Sequence, residues 1–205
     1  MKKLLVVVGL LVLVSSMALA QVTAATYYVD YYANNAGPDG AFDQIIRIVN
    51  VGTLGTPLTW PARGGICANI YVFDPDQEMI ACCAEPISPN ELDSAYVGRD
   101  LTLNTLTTFI PSSGVVKITL TPNPGGSAST CQPTNPVTAS DASLAAVWGT
   151  HLQVPGAALF VTETEKHHQT LGADEAAFLP QACSFVLYLG SGRGTCRSRV
   201  STGQF

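Results

Sequence analysis

A chain of 205 residues that is 47% apolar but only 12% charged can bury a sizeable core, and must cover much of its surface with Thr, Ser, Asn and Gly. Its 15 acidic and 10 basic side chains give a net charge of −5, and no Lys/Arg run is present to track phosphates, which argues against nucleic acid as a partner. Six cysteines without matched C-x2-C pairs read as three disulfides of an oxidising compartment rather than as a metal set.

The first twenty residues have the form of a signal peptide: Lys2 and Lys3, an apolar run over residues 4–14, then Ala18, Leu19 and Ala20 as a small-residue cleavage pattern. Cleavage after Ala20 would release a secreted protein, extracellular or periplasmic, with 8 basic against 15 acidic side chains. No later stretch has the length of a membrane span. The remainder, residues 21–205, reads as a single disulfide-stabilised β-rich domain.

Residues 27–32 form a β-favouring run, with Tyr27, Val29 and Tyr31 on one face and Tyr28, Asp30 and Tyr32 on the other. A turn cluster at 34–40 leads to a second strand over 45–51. Residues 65–83 then read as a hairpin around an acidic tip, with Cys67 at one base and Cys82 and Cys83 at the other. Ser88, Pro89, Asn90 and Glu91 have the spacing of a capping box, predicting a short helix after Cys83 that buries Leu92, Ala95 and Tyr96.

Residues 114–121 alternate as a half-buried strand, and the Pro/Gly/Ser/Thr-rich stretch 122–136 is expected to be pinned by Cys131. A second hairpin is predicted from 145–154 and 159–164 through Pro155 and Gly156. The C-terminal segment reads as helix: Asp174 and Glu175 in its first turn, Pro180 interrupting or restarting it, and Ala182, Phe185, Val186 and Leu189 as its buried stripe. The fold expected is mainly β, an antiparallel sandwich or β-rich α+β domain of six to eight strands. Local geometry favours Cys183 with Cys196, then Cys67 with Cys82 or Cys83, leaving Cys131 for the remaining one. Adjacent cysteines in a strand point to opposite faces, so Cys82 and Cys83 should make separate bonds.

Residues 81–90 (ACCAEPISPN), 103–107 (LNTLT), 146–150 (AVWGT), 161–164 (VTET) and 183–186 (CSFV), closing on 190–196 (GSGRGTC), form an ordered set. In this set the chain resembles uncharacterised secreted cysteine-rich proteins of acidobacterial-type soil bacteria, over residues 65–203. The resemblance implies no established activity. It leads one to expect two further cysteines where Glu85 and Arg199 stand; were those two partners, the hairpin base would lie beside the C-terminal tail.

The candidate chemistry is sparse. Asp74, Asp76 and Glu78 at the hairpin tip present oxygens to a cation but lack the glycine and distal Glu of a calcium loop, and read as a solvated turn; Asn35, Asp39 and Asp43 carry the same low weight. Glu163, Glu165 and His167, with His168 adjacent, come from one segment and do not close a metal site. His151, beside Trp148 and Thr150, would serve as a general base only with a serine that nothing selects, since Gly-x-Ser-x-Gly is absent. The glycines of 190–194 come after a helix, so they fit a C-cap and turn rather than a phosphate loop, and no cofactor motif remains. Tyr27, Tyr28, Tyr31 and Tyr32, with Trp60 and Trp148, form a possible ligand platform for sugar rings, although aromatic strand residues are more often core. The expected function is an exported non-catalytic structural or ligand-binding module, its partner an extracellular ligand such as a glycan or another surface protein. The alternative is a secreted hydrolase acting on an extracellular polymer.

Overall fold

The computed structural model describes residues 24–33, 43–55, 64–107, 109–153, 160–189 and 193–196. Within them lie β1 (Thr26–Ala33), β2 (Ile45–Asn50), β3 (Ile66–Phe73), β4 (Met79–Ile87), β5 (Leu92–Tyr96), β6 (Ser113–Pro122), β7 (Ala145–Gln153), β8 (Phe160–Glu165), β9 (His168–Thr170) and α1 (Ala173–Tyr188). The protein is therefore mainly β, a β-rich α+β fold. Sheet 1 has the order β4-β3-β6-β1-β9 and sheet 2 the order β5-β2-β7-β8, with antiparallel pairing throughout. The strands expected at 27–32, 45–51 and 114–121 and the hairpin of 145–164 are all present, while Pro155 and Gly156 lie outside the described residues.

β3 shows why the chain takes this form. It lies between β4 and β6, and all eight of its residues are buried, as its nearly continuous apolar run requires. Ile66, Ala68, Ile70 and Val72 join a core that also takes Ile118 and Leu120 from β6, Ile46 and Ile48 from β2 and Val147 from β7. This core thus draws on both sheets. Tyr71 and Phe73 belong instead to a second cluster with Leu171, Ala176, Leu179, Cys183 and Val186, formed beneath α1. Each large apolar side chain so buried contributes about 1.5–3 kcal/mol. The Tyr71 hydroxyl donates to Pro133 O at 2.9 Å, fastening the segment between β6 and β7 over the same face.

All six cysteines are bonded, but the pairs differ from the local ones expected: Cys67–Cys131, Cys82–Cys183 and Cys83–Cys196, with Cα separations of 5.4, 5.8 and 5.3 Å. The hairpin register explains the first correction. Cys67 faces Pro86, whereas Cys82 and Cys83 face Tyr71 and Ile70; an offset of three strand residues is about 10 Å, beyond the reach of a disulfide. The hairpin is longer than the cysteines implied, so they are not at matching bases. Cys131 does pin the stretch after β6, by its bond to Cys67. Cys183 and Cys196 do not meet each other because both are drawn to β4: Cys82 points to the cluster under α1, and Cys83 to the core to which both sheets contribute. Their opposite directions, expected of adjacent strand residues, give two separate bonds.

Two helix expectations also change. After Ser88 the chain makes a turn and continues as β5, pairing with β2 from Ile45↔Tyr96 to Val49↔Leu92; the helical turn comes later, at Val97–Leu101. The Glu91 carboxylate does accept from Ser88 N–H at 2.7 Å, as in a capping box. That contact here closes a turn with Asn90 at φ 65°, and pairing with β2 takes up residues 92–96 directly after it. In α1, Asp174 and Glu175 occupy the first turn as expected, favourably placed for the helix dipole, but the helix runs unbroken past Pro180. Its buried face is Ala176, Leu179, Cys183 and Val186, while Phe185 and Leu189 are exposed. The bond from Cys183 to Cys82 fixes that rotation. No helix among the described residues is long and apolar enough to cross a membrane.

Candidate functional site

The alternation of β1 turns Tyr28, Asp30 and Tyr32 inward, so one carboxylate lies between two buried tyrosines. A buried charge of this kind demands a partner. It comes from Lys166, in the short crossover where the chain leaves sheet 2 at the end of β8 and enters sheet 1 at the start of β9. The Lys166 backbone N–H donates to Val147 O at 2.8 Å, which orients the crossover. From there Lys166 Nζ reaches Asp30 Oδ1 at 2.8 Å and His151 Nε2 on β7 at 2.7 Å, and His151 Nε2 is 3.6 Å from Asp30 Oδ1.

An ammonium can only donate, so His151 Nε2 accepts and the imidazole is neutral, its proton on Nδ1. The surroundings of His151 agree: burial pushes its pKa below the usual histidine value, Asp30 opposes this, and Lys166 adds to it. The Tyr31 ring stacks on the imidazole with centroids 4.8 Å apart and planes 20° apart. Asp30 Oδ2 is buried without a hydrogen-bond partner. Gly149 makes room for the assembly, because a Cβ there would overlap Asp30 Oδ2 and crowd Lys166 Cε. The arrangement holds one amine within hydrogen-bonding distance of both a carboxylate and a proton acceptor, largely away from water.

The four tyrosines do not share a surface, which corrects the platform reading. Tyr28 donates to Ala142 O and Ala145 O at 3.0 and 2.8 Å, Tyr32 donates to Phe73 O at 3.2 Å, and both are buried. Tyr27 packs against the cluster under α1, and Tyr31, 60% exposed, is the one that faces solvent. At the hairpin tip, Asp74 Oδ1 accepts from the N–H groups of Asp76 and Glu78 at 3.0 and 2.8 Å, so its carboxylate closes the turn while Asp76 and Glu78 stay exposed. Asp43 likewise accepts from the N–H groups of Gly98 and Arg99, at 2.7 and 2.8 Å. Asn35, Asp39 and Trp60 lie outside the described residues, as do residues 190–192.

Glu163 pairs with Arg47, which also donates to Thr150 Oγ1 at 3.0 Å. Glu165 and His167 are exposed and flank the crossover, and no group of three metal-ligating side chains assembles among the described residues. His151 therefore has the acid that the sequence left unspecified, but its ring meets Asp30, Lys166 and Tyr31 rather than a serine. Sequence reasoning missed Lys166. Its signal was indirect: only Lys117 and Lys166 occur after residue 20, and an inward strand carboxylate needs a cation. In comparisons with family models, curated proteins and solved structures, no match to this chain was found.

Proposed function

We propose that the protein is an exported, non-catalytic module of the cell surface or extracellular space, structural or ligand-binding. The observation that carries this reading is the closure of the Asp30–His151–Lys166 cluster on itself: its groups join β1 to β7 and the β8–β9 crossover instead of converging with a nucleophilic hydroxyl. Three disulfides fit an oxidising compartment, and the apolar run preceding Ala20 supplies the export signal. The ligand class is a glycan or another surface protein. A screen of the purified protein against glycans and cell-wall fractions, with a hydrolase substrate panel alongside, tests the reading. Binding or cell-wall retention without turnover is expected. Turnover of any polymer substrate that is lost in His151→Ala would replace it with the hydrolase reading.

A further inference from the structure

We infer that Asp30 and Lys166 condense within the folded protein to a covalent side-chain amide, joining β1 to the β8–β9 crossover, with His151 as the proton carrier. The inference stands whichever way the function above is decided, because it concerns only these three side chains. Nζ already touches Oδ1 at 2.8 Å, and His151 Nε2 lies 2.7 Å from Nζ and 3.6 Å from Oδ1, so the base that relieves the amine of a proton needs only a small shift to reach the oxygen that must receive it. The imidazole is held neutral and accepting, as this role requires.

The step balances without any other reactant. Nζ gives up one proton and attacks Cγ; once the Nζ–Cγ bond has formed Nζ gives up a second, the Cγ–Oδ1 bond breaks, and Oδ1 leaves as water carrying both protons. His151 Nε2 relays them and ends neutral. Oδ2 remains as the amide oxygen. The ammonium and carboxylate charges cancel, so no oxidant, nucleotide or metal is consumed.

Three features favour condensation over a lasting ion pair. Fixed neighbours react with effective concentrations far above those reached in solution. The Asp30 carboxylate is buried and Lys166 is partly buried, with side-chain exposures of 3% and 13%, so amide formation removes a charge pair largely shielded from water. Asp30 Oδ2 has no partner, an expensive state for a carboxylate oxygen and a milder one for an amide oxygen. Gly149 allows the carboxyl group and the Lys166 stem to share this space.

Intact mass and a tryptic map of the full purified chain decide the matter. The wild-type mass should be one water lighter than that of the chain with three disulfides, and trypsin should fail to cut after Lys166, leaving a branched peptide that carries Asp30. Lys166→Arg, which keeps the cation, should regain the full mass. In His151→Gln the branched fraction should fall well below that of wild type. A wild-type protein of full mass that trypsin cuts after Lys166 overturns the inference, without bearing on the glycan screen or the substrate panel. A His151→Gln variant as completely joined as wild type removes His151 from the mechanism.

Discussion

At the β4 margin of sheet 1 the covalent fastenings are disulfides: each of the three has one cysteine on β3 or β4, and together they attach the segment after β6, helix α1 and residues 193–196. At the β1 margin there is no cysteine, and the join to β7 and the β8–β9 crossover passes through Asp30, Lys166 and His151. The difference reflects the kind of segment being held. The pieces fastened at β4 include irregular segments with few strand contacts of their own, so constraining the unfolded chain is an effective way to keep them. The pieces meeting at β1 are already ordered by strand pairing, and the Asp30–Lys166–His151 cluster there sets which groups face one another.

Four variants put this contrast to the test. Asp30→Ala leaves the Lys166 charge buried without its acid and should cost about 3–5 kcal/mol, with faster hydrogen exchange in β1 and β9 than in β3. Replacing both Cys82 and Cys183 with Ala, with Cys83–Cys196 left closed, opens the short ring through residues 183–196 and should cost about 3 kcal/mol in denaturant unfolding. A loss below about 1 kcal/mol would mean that α1 is held by packing alone. Gly149→Ala introduces a Cβ into the space of Asp30 and Lys166 and should cost about 1–3 kcal/mol by thermal melting. Lys117→Ala removes the pair with Glu175 between β6 and α1, and because both side chains are partly exposed its loss should stay below about 1 kcal/mol.

A fifth measurement concerns pH. The folded protein holds His151 below its ordinary pKa, so below about pH 6.5 the unfolded chain binds a proton there that the folded chain does not. Stability should therefore fall as pH drops from about 6.5 toward the depressed native value, and the slope should flatten in His151→Gln. An unchanged slope in that variant would mean that His151 does not differ between the two states.

The strands were legible in the sequence because β1, β2, β3 and β6 declare themselves by local alternation or continuous apolar runs. β5 was not: a capping-box spacing satisfies a turn as readily as a helix, and the pairing of residues 92–96 with β2 is a long-range fact. Of the candidate site, Asp30 was visible on one face with Tyr28 and Tyr32, and His151 was visible as a base with no serine selected for it. Their meeting was not, because it depends on the chain changing sheets between Glu165 and His168, which no local pattern in those residues announces. The disulfides failed for the same reason: proximity along the chain was a poor guide once β4 had become the common anchor.

The adjacency of Cys82 and Cys83 has a topological result. Since the first is bonded to Cys183 and the second to Cys196, the stretch from 183 to 196 and the peptide unit between 82 and 83 form one closed covalent ring. A protease that cuts this stretch once frees no fragment, for both new ends stay moored to neighbouring residues of the same strand. A pull on the chain beyond Cys196 is likewise delivered to β4 through Cys83 before it can unwind the helix, so the weakest-looking exit from the domain is tethered to one of its best-buried strands.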